Sequence, residues 1–240
     1  MFSFFSKKNR LLTPIDIHSH LIPGIDDGAK DMESSIELIK ALQKIGYKKL
    51  ITTPHISDMF PNSHMKILEG YNALKRELIK QGIDIDIEVA AEYYVDEYFE
   101  ELLEKEELLT FGKENYLLFE FSYFTPPHDI DNLIYDIRLK GYTPILAHPE
   151  RYLYWHHDFD KYIELKENTD VLFQINLNSI SGYYNNDIKN IVERLIKNGM
   201  VDFVGSDTHH MTHIKSLKNS LNQASYKKIF KYNNILNSTL

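Results

Sequence analysis

Seven short runs of apolar residues recur along the 240-residue chain, and their regular recurrence constrains its fold more than any other feature. Each run is rich in Ile, Val, Leu, Phe or Tyr, which is typical of a buried strand. The runs are PIDIH (14–18), KLITTPH (49–55), IDIEVAAE (85–92), YLLFEF (116–121), TPILAH (143–148), VLFQINLN (171–178) and VDFVGSD (201–207). We predict that these runs form seven strands.

Segments with helical periodicity separate the predicted strands. Residues 33–45 are one such segment, in which Ile36, Ile39 and Leu42 mark one face and Gly46 follows as a stop signal. Further segments run over about 65–80, 96–108, 129–140, 159–167 and 187–198. Because strands alternate with helices, we expect parallel strands joined by right-handed crossovers.

The spacing of the strand ends favours a barrel. The runs end near His20, His55, Glu92, Glu120, His148, Asn178 and Asp207, at intervals of 28 to 37 residues. About 30 residues per strand–helix unit is typical of a (β/α) barrel. No linker interrupts the series, so we predict one α/β domain. An open, doubly wound sheet is the competing architecture, since the strand count does not show closure.

Composition excludes several classes of function. The formal net charge is −8 and there is no long basic run, which weighs against a nucleic-acid partner. The chain contains no cysteine, so disulfides, thiolate ligands and cysteine nucleophiles are excluded. No run approaches the roughly 18 apolar residues of a membrane span. We expect a cytoplasmic protein whose residues 1–13 are an N-terminal tail, with a weak membrane-surface anchor as the alternative for MFSFFSKKNR.

Six of the seven runs end in residues that can bind metal. The ends are HSH, TPH, AAE, FEF, AHPER, NLN and SDTHH, and the carboxyl ends of parallel strands meet at one edge. His18 and His20 share a strand face, with Asp16 in line behind them and Asp26 and Asp27 downstream. A single histidine is usually structural, and two adjacent aspartates before glycine usually form a turn. Together, however, these side chains would repel one another without cations, so we predict more than one divalent ion.

The same motifs resemble a known family. DIHSHLIPGIDDG, AAEYY, LFEFS, AHPERY and GSDTHH are similar to the PHP (polymerase and histidinol phosphatase) superfamily, and more closely to its CpsB/YwqE-like branch of bacterial protein-tyrosine phosphatases. The resemblance covers residues 14 to 213, in family order. It implies a distorted (β/α)₇ barrel of the PHP type over 14–225, followed by a C-terminal tail or last helix over 226–240.

The resemblance also implies a site for three metal ions. The first ion would be held by His18, His20, Glu92 and Asp207, the second by Glu92, Glu120 and His148, and the third by Asp27, His55 and His209. Manganese is the expected metal, with iron or zinc as alternatives. Asp16 is expected either to orient a histidine or to hydrogen-bond into the strand ladder.

Further residues are candidates for substrate contact and catalysis. Arg151 is predicted to hold the phosphate, because a guanidinium binds phosphate in a bidentate manner; a salt bridge to Glu150 is the alternative. Related proteins carry a second arginine after the last histidine, where this chain has HHMTHIK, so Lys215 and His213 are the candidates to replace it. His209 and His210 are candidate catalytic residues, and His210 and His213 are either proton donors or solvated side chains. Tyr93, Tyr94, Tyr123 and Phe124 either stack on a substrate ring or pack against neighbouring side chains. Asn176, Asn178 and Ser179 either hydrogen-bond substrate or cap the next loop.

These features predict a metal-dependent protein-tyrosine phosphatase, a phosphoric monoester hydrolase that uses metal-activated hydroxide. The resemblance implies that its substrate is the phosphotyrosine tail of a bacterial tyrosine kinase of capsule or exopolysaccharide biosynthesis. A small-molecule phosphatase of the histidinol-phosphatase type and a metal-stabilised scaffold that binds the kinase without turnover are the alternatives. The oligomeric state is left open.

Overall fold

A computed structural model describes residues 10–240 and confirms the α/β class. Within that range the seven predicted runs form nine strands, because the second and third runs each divide in two. The strands are β1 (Ile15–Asp16), β2 (Lys49–Thr52), β3 (His55–Ile56), β4 (Asp86–Val89), β5 (Glu92–Tyr94), β6 (Tyr116–Glu120), β7 (Thr143–Ala147), β8 (Leu172–Asn176) and β9 (Phe203–Gly205). Pro54, which has no N–H to donate, lies at the break between β2 and β3.

All pairings between these strands are parallel, and they form two sheets. One sheet has the order β1-β2-β4, and the other has the order β3-β5-β6-β7-β8-β9. The sheets are continuous through the two divided runs. Backbone hydrogen bonds from Asp207 to His18 and from His20 to Thr208 connect the last run to the first. This connection supports the distorted barrel over the open sheet.

Helices follow most of the strands and cover the outside of the barrel. They are α1 (Met32–Ile45), α2 (His64–Lys80), α3 (Glu97–Glu104), α4 (Ile130–Leu139), α5 (Asp160–Thr169), α6 (Leu177–Ile180), α7 (Asn186–Lys197), α8 (Met211–Ser220) and α9 (Ala224–Tyr232). Asp31 and Ser34 form a capping box at the start of α1, and Gly46 ends that helix at a φ of 129°. Helix α3 ends four residues before the predicted Leu108, and the predictions did not include α6 or α8.

The barrel interior is apolar below its mouth. Side chains from several strands form one cluster there, which includes Ile51, Ala90, Leu118, Ile145 and Phe203. Side chains two residues apart share a strand face, so Glu92 follows Ala90 and Glu120 follows Leu118 on the interior side. The packed floor therefore places these carboxylates at the top of the barrel.

The segments predicted as tails contact the barrel where they are described. Residues 1–9 lie outside the described range, but Leu11 and Thr13 are buried and the Leu12 N–H donates to the Tyr226 hydroxyl at 2.7 Å. The boundary predicted at 225 falls within α9. Beyond it, the buried Asn237 amide donates to the backbone oxygens of Ile15 and Val204. No helix among residues 10–240 is long and apolar enough to cross a membrane.

Candidate metal centre

The structure brings the nine predicted metal ligands together at the carboxyl ends of the strands. Their nitrogen and oxygen atoms form four overlapping groups with separations within 4.8 Å. The groups are His18, His20 and Glu92; His18, His148 and Asp207; His55, Glu92 and Glu120; and His20, Asp27, His55 and His209. Residues that lie up to 191 positions apart in the sequence therefore share one site.

Glu92 lies at the centre of the site. Its Oε2 is 3.0 Å from Nε2 of His18, 3.3 Å from Nε2 of His20 and 3.2 Å from Nδ1 of His55. Its Oε1 is 2.9 Å from Nε2 of His148. A carboxylate that faces four imidazoles can bridge two cations.

Neighbouring side chains determine the tautomers of His18 and His20. The Nδ1–H of His18 donates to Oε1 of Gln174 at 2.8 Å, and that of His20 donates to Oδ2 of Asp26 at 2.8 Å. In the neutral rings both Nε2 atoms therefore have lone pairs, and they lie only 3.3 Å apart in a buried position. Two facing lone pairs need a proton or a cation between them, so this donor set fits a divalent metal.

A second set of ligands lies closer to solvent. Oδ1 of Asp27 is 3.3 Å from Nε2 of His209 and 3.6 Å from Nε2 of His55. The His209 ring stacks on the His20 ring at 3.9 Å, which joins this set to the buried one. Gly28 packs directly on His20, since a Cβ there would lie 2.4 Å from the His20 Cβ. The glycine allows the loop to bring Asp27 to the site.

The close packing of acids and histidines shifts the pKa values of several side chains of the site. Burial lowers the pKa of His18, but the carboxylates of Glu92 and Asp207 outweigh it and raise that pKa to about 9. Burial and the charge of Glu92 raise the pKa of Glu120 well above its ordinary value. Burial lowers the pKa of His148 to about 4, and its buried Nδ1 has no hydrogen-bond partner among residues 10–240. The crowded carboxylates therefore favour positive charge between them, as protons on His18 and Glu120 or as bound cations.

Asp207 connects the ligands to Arg151. Its Oδ1 is 3.5 Å from Nε2 of His18, while its Oδ2 accepts from Asn176 at 2.6 Å and from Arg151 at 3.3 Å. Asp207 and His148 have φ values of 49° and 33°, in the left-handed region that non-glycine residues rarely adopt. Such backbone conformations are found where the surrounding structure imposes them, often at functional sites.

Arg151 lies beside the ligands with little conformational freedom. Its guanidinium carbon is 4.2 Å from the centre of the Tyr123 ring and 4.5 Å from that of Tyr184. It pairs with Asp207 and not with Glu150, whose Oε1 accepts from Asn176 and Ser179. The guanidinium lines the same cavity of about 860 Å³ as the ligands Asp27, His55, Glu92, Glu120, His148, Asp207 and His209. A phosphate in this cavity can contact both the cations and Arg151.

Comparison with known proteins agrees with this geometry. The family model for capsular polysaccharide synthesis proteins CpsB/CapC matches residues 14–234. The chain belongs to the CpsB/CapC family.

Relatives in this family are named as tyrosine phosphatases. The chain is 32% identical over 207 residues to tyrosine-protein phosphatase YwqE of Bacillus subtilis. This alignment covers 82% of the chain and 78% of YwqE. It is 30% identical over 199 residues to putative tyrosine-protein phosphatase CapC of Staphylococcus aureus, with the same two coverages.

Solved structures show the same fold. One comes from work on YwqE of Bacillus subtilis and CpsB of Streptococcus pneumoniae, described as unique metal-dependent tyrosine phosphatases; it matches with a TM-score of 0.80 and 30% identity over 91% of this chain and 90% of that one. A phosphotriesterase homology protein of Escherichia coli matches with a TM-score of 0.51 and 11% identity over 91% of each chain, which supports the fold alone.

The structure corrects three predicted substrate contacts of this CpsB/CapC protein. The Tyr93 ring is fully buried, and its hydroxyl accepts from the Leu109 N–H at 2.7 Å, so it cannot contact a ligand in the cavity. Asn178 is also buried and donates to the backbone oxygen of Ser206. Lys215 lies on α8 in a separate groove with Ser181 and Thr212, so it does not replace the second arginine here.

Other predicted residues do line the cavity. These are Tyr94, Tyr123, Phe124, His210 and His213. His210 is exposed, whereas His213 is buried and accepts the His209 N–H on its Nδ1 at 3.1 Å. His213 thus positions the loop that carries His209.

Asp16 hydrogen-bonds into the strand ladder, which is the second of the two roles expected for it. Its carboxylate accepts from the backbone N–H of Ser206 at 2.8 Å and from the Ser206 hydroxyl at 2.5 Å. It therefore ties the first run to the last and does not orient a histidine.

The sequence alone did not assign roles to three residues that support the site: Asp26, Gln174 and Tyr184. Gln174 is a polar residue within the apolar run VLFQINLN, and this is a signal that could have marked it. Tyr184 follows no strand, and only its contacts to Arg151 and Asp207 reveal it.

We expect Asp26→Ala to weaken Mn²⁺ binding about 10- to 100-fold, the usual cost of losing a residue that orients a metal-binding histidine. Asp26 accepts from His20, from the His55 N–H at 3.1 Å and from the Gly28 N–H at 3.0 Å, so its removal frees two ligands at once. Titration calorimetry of the metal-free protein measures the effect. Asp136→Ala, on the exposed side of α4, is the matched control, and equal affinities in the two variants would contradict the assigned role.

Proposed function

We propose that this protein is a metal-dependent protein-tyrosine phosphatase, a phosphoric monoester hydrolase of capsular polysaccharide synthesis. The observation that carries the proposal is the placement of Arg151 beside the buried Glu92–histidine cluster in one open cavity. Cations and a guanidinium on the same cavity wall are what phosphate-ester hydrolysis needs. The names of the relatives support the same activity.

The proposed cofactor is a cluster of three divalent ions, with manganese first and iron or zinc as alternatives. Nine ligand side chains exceed what one ion of four to six ligands can use, which supports more than one ion. When bound, such ions supply an activated water and neutralise the phosphoryl oxygens. The division of the ligands into His18, His20, Glu92 and Asp207; Glu92, Glu120 and His148; and Asp27, His55 and His209 belongs to this proposal.

The chain's own residues bind and orient the substrate. Arg151 donates two N–H groups to phosphoryl oxygens, and the rings of Tyr123 and Tyr184 hold it in place for this. The Tyr123 hydroxyl donates to Oε2 of Glu120 at 3.0 Å, which orients that ligand. His210 is exposed at the cavity and can donate a hydrogen bond to the leaving oxygen. The need for this donor is modest, because a phenol has a pKa of only about 10.

The shape of the mouth favours a protein substrate over a small molecule. Met59 and Phe124 line the cavity and are 80% and 76% exposed, so the opening presents apolar side chains to solvent. Such exposed apolar side chains can contact residues that flank a phosphotyrosine in a polypeptide. The phosphotyrosine tail of a bacterial tyrosine kinase is the proposed partner, and the cytoplasm is the proposed location.

Assays with three phosphate esters test this proposal. After chelation and reloading with Mn²⁺, we expect kcat/KM for a phosphotyrosine peptide to exceed that for histidinol phosphate at least tenfold, with phosphoserine peptide lower still. Greater turnover of histidinol phosphate would support the small-molecule alternative. Binding of phosphotyrosine peptide without turnover of any ester by the metal-loaded protein would support the scaffold.

A further inference from the structure

A second large groove lies at the end of the barrel opposite the metal centre. Pro14 and Lys48 line it immediately before β1 and β2, whereas the metal ligands follow the strands. The end of α1 and the end of α8 form its walls, and its volume is about 870 Å³. We call this surface the basic groove, after Arg10, Lys44, Lys48 and Lys218, which line it.

The charge of the basic groove is opposite to that of the whole chain. No acidic residue lines it, although the chain carries a net charge of −8. All four basic residues are exposed, and none has a carboxylate within 4.0 Å among residues 10–240. Lys44 and Lys218 lie in the last turns of α1 and α8, where the helix dipole favours a cation. Arg10 and Lys48 lie outside helices, so the helix dipole does not account for the presence of cations at these two positions.

Apolar residues accompany these cations. Leu12, Pro14, Ile45 and Leu221 line the basic groove, and Leu12 is 48% exposed. The sequence that leads into Arg10 is MFSFFSKKN, in which apolar residues precede two further lysines. Apolar side chains next to clustered lysine and arginine are typical of segments that bind the surface of an anionic membrane.

We propose that the basic groove binds an anionic lipid surface. Phospholipid headgroups pair with the four cations, and the exposed side chains of Leu12 and Pro14 contact the acyl boundary. Because the groove and the metal centre lie at opposite ends of the barrel, this orientation leaves the mouth facing away from the membrane. A phosphotyrosine side chain can then enter the site while the enzyme is bound.

Sedimentation with vesicles tests the proposal. The full chain is mixed with phosphatidylcholine vesicles that contain about 30% phosphatidylglycerol, or with phosphatidylcholine alone. We expect binding only to the anionic vesicles, and weaker binding as salt is raised. In the triple variant Lys44→Gln, Lys48→Gln, Lys218→Gln, each lost lysine is expected to weaken partitioning about fivefold, so that the total loss is about a hundredfold.

The matched control is Lys75→Gln, Lys105→Gln, Lys161→Gln, which removes the same charge from exposed lysines elsewhere. It should bind vesicles nearly as well as the unchanged protein, and both triple variants should hydrolyse a soluble aryl phosphate at the unchanged rate. Equal losses of vesicle binding in the two variants would overturn the proposal. So would an absence of binding to anionic vesicles, or groove-dependent binding of polyglutamate alone, which would indicate an acidic protein partner.

Discussion

Glu92→Gln is expected to lower kcat/KM about a thousandfold. The substitution keeps the size of the side chain but removes the charge that faces His18, His20, His55 and His148. Loss of a shared ligand removes several kcal/mol of metal-derived stabilisation, and each 1.36 kcal/mol corresponds to about a tenfold change in rate. Steady-state assays in saturating Mn²⁺, with metal content measured by elemental analysis, determine the effect.

Metal-dependent stability provides a second measurement of the same substitution. A ligand at about 100 times its dissociation constant stabilises a protein by about 2.7 kcal/mol. Mn²⁺ should therefore raise the Tm of the unchanged protein, and it should raise the Tm of the Glu92→Gln variant much less. Glu88→Gln, in the same run but paired with Lys49 at the other end of the barrel, is the control and should retain activity and metal response. Full metal content and turnover in Glu92→Gln would show that Glu92 is not a shared ligand.

Arg151→Lys is expected to lower kcat/KM for a phosphotyrosine peptide about a hundredfold without loss of metal. Lysine keeps the charge but cannot donate two parallel hydrogen bonds, and charge-assisted hydrogen bonds contribute about 1.5–3 kcal/mol each. Lysine also cannot stack as a plane between the rings of Tyr123 and Tyr184. Arg151→Ala should lower the rate further, because the charge is then lost as well.

The control for Arg151 is Arg138→Lys. Arg138 also pairs with an aspartate, at 3.0 Å from Asp170, but on the exposed outer surface of the barrel. The Arg138→Lys substitution should leave kcat and KM for the phosphotyrosine peptide unchanged. If Arg151→Lys retains the KM and kcat of the unchanged protein while its metal content is normal, the guanidinium does not bind the phosphate. A loss of metal in Arg151→Lys would instead indicate that Arg151 acts through Asp207.

The sequence predicted the barrel and the convergence of its ligands because both depend on regular spacing. Parallel strands that recur every 28 to 37 residues have their carboxyl ends at one edge, so polar residues at those ends must meet. Periodicity alone did not predict the division of the second and third runs, although Pro54 in the second run is a signal that could have marked one of the two breaks. Helices α8 and α9 follow the last strand and lack its repeating context.

Substrate contacts were less predictable, because adjacent residues point to opposite faces. Tyr93 is buried in the core, whereas its neighbour Tyr94 lines the cavity, and one residue of register decides between them. Lys215 is five residues from His210, which lines the cavity. Helix α8, which begins at Met211, nevertheless directs Lys215 into another groove.

The sequence by itself therefore determined the fold class, the cations' candidate ligands and the exclusion of a cysteine nucleophile, since these follow from spacing and residue type. Only the tertiary structure decided which side chains orient those ligands. Gln174 contacts His18 across 156 residues, and no local pattern encodes a contact between such distant positions. The precise arrangement of the site depends on how the barrel packs, because packing determines which neighbour supplies each hydrogen bond.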